Sequence, residues 1–166
     1  YEADKQRLMT AYVDWQEGSM PRIWGICDAS ADFKYNVAGP KWSDDSKSVY
    51  FAALAEGIEG IFRAAAPQVN VPEGAMMKPA PWKIERITGD DLWNDFGSPF
   101  HIAQSEDGCT TLYTTWCSLD FPNEFVAVKV DPKGSRTASG STVLKAECPL
   151  MNAGVEYPQI TNENEH

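Results

Sequence analysis

The chain has few basic residues. Its 166 residues include 14 Lys and Arg against 24 Asp and Glu, which gives a net charge of −10. Nucleic-acid backbones and anionic lipid surfaces attract clusters of Lys and Arg, so this balance argues against both as partners. An acidic balance keeps a chain soluble, and it also suits a basic protein partner.

The sequence lacks the short motifs of common enzymes. It contains no GxSxG, no HExxH and no glycine-rich phosphate loop. Histidine is the usual base that activates a nucleophile, and the chain has only His101 and the terminal His166. His101 lies between two apolar residues of an alternating segment, where a solvated or hydrogen-bonded strand histidine is ordinary. We therefore expect no enzymatic activity and no cofactor.

Long apolar runs are lacking as well. No stretch approaches the roughly 20 apolar residues that a membrane-spanning helix needs. The chain begins at Tyr1 rather than at Met. We therefore expect that something precedes Tyr1 in the whole protein, and that any membrane contact is made by that preceding segment.

Cysteine is scarce but even in number: Cys27, Cys109, Cys117 and Cys148, with no CxxC pair. In a chain that does not start with Met, this predicts two disulfides and an extracytoplasmic location, in the periplasm or at the cell surface. On one straight strand Cys109 and Cys117 would lie roughly 27 Å apart, whereas a disulfide needs roughly 4.4–6.8 Å between Cα atoms. Unless the chain turns back, each pairs with Cys27 or Cys148. Four buried thiols are the alternative.

What the chain does contain is enough apolar material for one domain. Hydrophobic residues make up 43% of the sequence, and six of them are Trp. A chain of this length buries about two thirds of its unfolded surface. We predict a single domain over 1–166, with the Trp side chains in the core or, alternatively, on a platform that stacks against a sugar or another ligand.

Residues 1–66 are predicted to be mainly helical, but 23–42 is mixed, and RIWGIC in it could be a short strand or a buried turn. Leu8, Tyr12 and Trp15 recur at helical intervals before Gly18, which predicts a helix over 1–17. A second helix is predicted over 43–66, with N-cap candidates at its start and one apolar stripe: Tyr50, Leu54, Ile58, Ile61, Phe62 and Ala65. Four prolines then make 67–81 a connector.

From Trp82 the apolar period changes to two. Segments with strand-like patterns, WKIERIT, PFHIAQ, CTTLYTTWC, EFVAVKV and STVLKAEC, are separated by turn sequences and predict antiparallel strands over 82–150. Residues 151–166 form a polar tail. The predicted fold class is α+β, with N-terminal helices packed on a C-terminal antiparallel sheet of about four strands.

The segment between Gly89 and Cys109 is the densest in acidic residues. Asp90, Asp91 and Asp95 could bind Ca²⁺ through their carboxylates, but their spacing does not match an EF-hand loop. The ordinary alternative is a capped turn in water. We therefore list these three residues as candidate Ca²⁺ ligands and expect that Ca²⁺ causes no thermal shift.

The same segment carries a resemblance. An N-terminal helix, a variable middle and a late antiparallel sheet with cysteines resemble the soluble part of a type IV pilin or pseudopilin. Members of that family often enter the sheet through an aromatic–Gly–Pro step, and DLWNDFGSPFHIA is similar, with Trp93, Phe96, Gly97, Pro99 and Phe100. The resemblance implies that this segment is the start of a sheet and holds no catalytic site.

The resemblance also implies a function. It is that of a non-enzymatic structural subunit that assembles with other protein subunits, as a homopolymer of the full-length protein in a surface filament. The first helix would be the stalk, and its side chains Leu8, Met9, Tyr12 and Val13 would form the assembly interface. The alternative is a small acidic immunity or inhibitor protein that binds a basic protein through aromatic anchors and electrostatic steering.

Overall fold

The computed structural model describes residues 4–67, 80–88, 94–106, 108–118 and 123–130. These residues form ten strands and no helix, so the α+β prediction is wrong and the described part of the chain is all-β. The strands are β1 (Met9–Asp14), β2 (Arg22–Asp28), β3 (Ala38–Trp42), β4 (Ser48–Ala55), β5 (Ile58–Ala65), β6 (Lys83–Arg86), β7 (Asn94–Phe96), β8 (His101–Gln104), β9 (Thr110–Ser118) and β10 (Glu124–Val130).

The strands form three antiparallel sheets. The first is the β1–β2 hairpin, and the second has the order β3-β4-β5-β6. In the third, β9 lies between β10 on one side and both β7 and β8 on the other. Because β7 pairs with the end of β9 and β8 pairs with its start, β7 and β8 are two halves of one interrupted edge strand.

A β-hairpin occupies the segment for which we predicted the second helix. Glu56 and Gly57 join β4 to β5 with φ angles of 58° and 87°, as a two-residue type I′ turn requires. Both faces of β4 are buried, so its sequence is a nearly continuous apolar run. Such a run gives no period that separates a strand from a buried helix. The predicted N-cap residues form the β3–β4 turn instead, where the Ser43 amide donates to the Ser48 carbonyl over 2.8 Å.

The predicted first helix is also a strand. Residues 9–14 form β1, and Leu8, just before it, is the one residue of the predicted helical stripe whose side chain is buried. The β-branched and aromatic residues Thr10, Tyr12 and Val13 favour an extended chain. Their agreement with a helical interval was a coincidence of spacing.

One core lies between the two larger sheets. Tyr50 and Ile61 from the β3–β6 sheet meet Leu112 and the inner residues of β10, together with Phe96 and Ile102 from the interrupted edge strand. In a β-sandwich, side chains from the inner faces of two sheets interdigitate and form the core between them. The two sheets therefore form a β-sandwich.

A second core covers the other face of the β3–β6 sheet. Phe51 and Phe62 pair across β4 and β5 and point into this core, where Phe33 packs against both rings at centroid distances of 5.5 and 5.1 Å. Leu8 and the segment 29–37 complete it. The β3–β6 sheet is consequently the middle layer of three.

The predicted C-terminal strands are confirmed in part. WKIERIT, PFHIAQ, CTTLYTTWC and EFVAVKV supply β6, β8, β9 and β10, whereas residues 131–166 and most of the predicted connector lie outside the described residues. The expected segregation of the two halves is wrong, because β6 joins the sheet of the N-terminal strands. None of the described segments forms a helix with the length and apolarity that a membrane crossing requires.

Candidate interaction surface on the β1–β2 hairpin

The β1–β2 hairpin carries most of the exposed apolar side chains in the described part of the chain. Seven of the eleven large apolar residues that are exposed there lie on it, with exposed fractions between 42% and 93%. They are Met9, Tyr12, Val13, Trp15, Met20, Ile23 and Ile26. Scattered exposed apolar residues are ordinary, but a concentration on one element marks an interaction surface.

Apolar side chains occupy both faces of this hairpin. Val13 pairs with Ile23 across the strands, and Tyr12 pairs with Trp24 at the preceding position. Because neighbouring residues of a strand point to opposite faces, the two pairs lie on opposite faces of the hairpin. A two-stranded sheet has no core of its own, so burial of these pairs requires another surface.

A stacked aromatic pair stiffens the hairpin. The rings of Tyr12 and Trp24 are stacked with centroids 4.6 Å apart. Next to Trp24, Gly25 has a φ of 62°, a left-handed conformation that favours glycine. A Cβ atom at this position would lie 2.9 Å from Cδ2 of Tyr12. Gly25 therefore permits both the local bulge and the close approach of the tyrosine ring.

Polar contacts anchor the base of the hairpin to the sandwich. Asp28 accepts hydrogen bonds from the amide and hydroxyl of Ser30, each at 3.0 Å, and from the Arg7 guanidinium at 3.1 Å. The fully buried Ser30 hydroxyl also accepts from the Leu8 amide at 2.9 Å. Burial by itself raises the pKa of Asp28, but these bonds and the Arg7 charge outweigh burial and lower it.

The tip of the hairpin, residues 15–21, holds its two most exposed apolar side chains. Trp15 is 75% exposed and Met20 is 93% exposed. The turn is ordered by the amide and hydroxyl of Ser19, which both donate to the Gln16 carbonyl at 3.0 and 2.9 Å. Gly18, with a φ of 83°, allows the chain to reverse. The tip thus presents an aromatic ring and a flexible thioether on a defined turn.

The structure places the predicted assembly residues on β1 and just before it. Met9, Tyr12 and Val13 are exposed there, whereas Leu8 is buried in the core and is not part of the exposed surface. The sequence reasoning missed Met20, Ile23 and Ile26. Their signal was the strand composition of RIWGIC, which lacks the polar alternation that a solvated hairpin would show.

The predicted acidic cluster is described only at Asp95. Its Oδ1 accepts the backbone N–H of Glu59 at 2.7 Å, which ties β7 to the start of β5. Burial raises the pKa of Glu59, and the Asp95 carboxylate raises it further. Asp90 and Asp91 lie outside the described residues, and among those that are described no three acidic, His or Cys side chains converge as metal ligands would.

The described cysteines are not joined to one another. Cys27 is buried and donates to the Ala80 carbonyl at 3.6 Å, and Cys109 and Cys117 are half-buried at opposite ends of β9. Cys148 lies outside the described residues. Any arrangement of two disulfides needs one bond among the first three, and the structure contains none.

His101 and three of the six tryptophans have defined positions on the sandwich. The exposed His101 lies on β8 beside the Tyr113 ring, and a shallow groove of about 250 Å³ separates β8 from the β3–β4 turn. Trp42 lies at its rim and contacts the Trp82 ring edge-on. Trp116 packs against the core between the sheets. These positions fit packing better than a shared stacking platform.

Residues 94–104 form the interrupted edge strand, β7 and β8, that pairs with β9. The Gly97 amide donates to the Thr115 carbonyl at 3.0 Å, and the Thr114 hydroxyl donates to the Gly97 carbonyl at 2.6 Å. Pro99 is fully buried at the break between β7 and β8. The Gly–Pro step therefore interrupts an edge strand, and Trp93 lies outside the described residues.

Comparison of the chain with protein-family models, with curated proteins and with solved structures gives no significant match.

Proposed function

We propose that this chain is a non-enzymatic subunit of a protein assembly and that the β1–β2 hairpin joins it to a second copy of the chain. The observation that carries the proposal is the concentration of seven exposed large apolar side chains on this single element. An isolated hairpin is marginally stable in water, and exposed apolar patches of this kind mark protein contacts.

A surface filament, as the resemblance to pilins implies, is one form that such an assembly can take. It stays a prediction, and so does the extracytoplasmic location. The family's fibre core rests on an N-terminal helix, whereas residues 9–14 of this chain form a strand. In a filament of this protein the contact would therefore be made by strands.

The net charge of −10 favours a second candidate, a basic protein partner. Like-charged copies repel one another, which weakens self-association. Charges farther apart than the Debye length of about 8 Å are largely screened at physiological salt. The charges near the contact therefore determine whether two copies attract or repel one another. The hairpin region carries charges of both signs: Arg7 and Arg22 are basic, and Asp14, Glu17 and Asp28 are acidic.

Light scattering from micromolar to millimolar concentration tests the proposal. The wild-type chain is expected to form dimers or larger species, and a variant with Trp15→Ser, Met20→Ser and Ile23→Ser is expected to stay monomeric. The matched control is Leu54→Ser, because Leu54 is exposed to a similar degree next to the β4–β5 turn. A wild-type chain that is monomeric throughout contradicts the proposal, and tight binding of such a monomer to a basic protein would support the second candidate.

A further inference from the structure

The outer edge of β1 is an unprotected strand edge. Among the described residues β1 pairs only with β2, so along its other edge backbone N–H and C=O groups point away from the hairpin. Natural proteins usually protect such edges with lysine, proline or a bulge, because an open edge accepts another strand. The sequence of β1, MTAYVD, contains neither lysine nor proline.

The outer edge of β2 is less open to another strand than the outer edge of β1. Between the pairs Thr10–Cys27 and Tyr12–Trp24, β1 has one residue and β2 has two, so the bulge lies in β2. The base of β2 is also covered, because Cys27 donates to the Ala80 carbonyl and Trp82 donates its amide to the Ala29 carbonyl at 3.0 Å. Of the two outer edges, β1 is the regular and accessible one.

Charges along β1 are arranged so that the strand complements itself. Two basic residues, Lys5 and Arg7, come directly before the strand, and the acidic Asp14 and Glu17 lie at and beyond its end. When two copies of a strand pair antiparallel, the start of each lies beside the end of the other. Arg7 of one copy would then approach Asp14 and Glu17 of the second copy.

We infer that two copies pair antiparallel through their β1 edges and form a continuous four-stranded sheet, β2-β1-β1-β2, about a two-fold axis. The inference rests on the proposed function and specifies its contact. The pairing supplies hydrogen-bond partners for the open edge, and it extends the apolar rows of Tyr12 and Val13 across the junction. It also explains why the edge is left without lysine or proline.

A charge-exchange experiment tests the antiparallel arrangement. In the variant with Asp14→Lys and Glu17→Lys, both ends of β1 are basic. The dimer dissociation constant is expected to rise about tenfold or more, because each of the two symmetry-related charge contacts changes from attractive to repulsive. The Arg7→Glu variant also removes the Arg7–Asp28 contact at the base of the hairpin, so its fold is checked by circular dichroism, and it is expected to weaken the dimer as well. An equimolar mixture of the two is expected to restore a heterodimer, whose mass identifies it in native mass spectrometry.

Amide hydrogen exchange supplies a second measurement that needs no substitution. On dimerisation, alternate amides of residues 9–14 are expected to exchange more slowly, while the amides of residues 22–26 change little. The wild-type dimer could depend on Trp15 and Met20 and yet show neither slower amide exchange in β1 nor a heterodimer in the mixture. That result overturns the edge pairing but agrees with the proposed function. A wild-type monomer overturns both.

Discussion

Tyr12 and Trp24 stack face to face across the β1–β2 hairpin, with ring planes 21° apart. The stack lies on the face opposite the exposed Val13–Ile23 pair, so it fixes the twist of the hairpin while leaving the other face open. A ring pair of this kind contributes about 0.5–1.5 kcal/mol beyond its buried area. It therefore accounts for a hairpin that keeps its shape with few contacts to the sandwich.

Gly25→Ala is expected to displace the Tyr12 ring, because the added Cβ would meet it at 2.9 Å and the backbone keeps a φ of 62°. The near-ultraviolet circular dichroism of the stacked pair should fall, while the melting temperature of the sandwich changes little. Gly18→Ala is the matched control, since Gly18 also has a positive φ but no heavy atom within 4 Å of its added Cβ. An unchanged aromatic signal in Gly25→Ala would show that the stack does not depend on this glycine.

Asp45 is expected to make the protein more stable above pH 4 than in strong acid. The Ser43 hydroxyl, which donates to Asp45 over 2.7 Å, is the main cause that lowers the Asp45 pKa from 3.8 to about 2. A carboxyl with a lowered folded pKa stabilises the fold above its unfolded value, and that contribution is lost as the pH falls through the folded value. Urea unfolding should show a smaller loss between pH 5 and pH 2 in Asp45→Asn than in the wild type. Equal losses in both proteins would contradict the assignment.

Glu59 is expected to lower the stability of the protein as the pH rises, which is opposite to the effect of Asp45. Its raised pKa means that the folded state holds the proton more tightly than the unfolded state, so stability falls as the pH rises from the usual glutamate value through the raised one. Glu59→Gln should therefore raise the urea midpoint at neutral pH and have less effect in acid. Glu106→Gln, in the exposed turn between β8 and β9, serves as the control. A neutral-pH midpoint that is lower in Glu59→Gln would refute this explanation.

At least two cysteines are expected to react with an alkylating reagent when the chain is unfolded without reductant. Cys27, Cys109 and Cys117 are not bonded to one another, so at most one of them can be bonded to Cys148. Intact-mass measurement counts the added groups, and a fully reduced sample gives the reference of four. A chain with no added groups would hold two disulfides and would support the original inference from the cysteine count.

The sequence predicted strands well where one face of a strand is solvated. EFVAVKV alternates because Val126 and Val128 face the inter-sheet core while Phe125 is exposed, and the period of two is visible in the letters. It also predicted His101 on the face opposite Phe100 and Ile102; His101 is exposed and Ile102 is buried, but Phe100 is exposed as well. At such positions the alternation of apolar and polar residues matches the alternation of buried and exposed side chains, which is why the strand prediction succeeds.

The same reasoning failed where both faces of a strand are buried or both are exposed. Val49, Tyr50 and Phe51 are consecutive and all buried, so β4 shows no alternation, and the apolar residues of β4 and β5 happened to fit a helical stripe. Glu56–Gly57, the two-residue turn, was the available signal against a helix. On the hairpin, Tyr12 and Val13 are both exposed, which again removes the alternation.

The separation of the β1–β2 hairpin from the two packed sheets has a consequence for how this protein can change over time. Substitutions in β4 disturb two cores at once, since Tyr50 and Phe51 face opposite layers. Substitutions at the hairpin tip disturb neither core, provided that the Arg7–Asp28–Ser30 contacts are kept. The hairpin can therefore acquire new binding preferences at little cost to the scaffold, and residues 9–28 form a natural unit for grafting a hairpin with a different specificity.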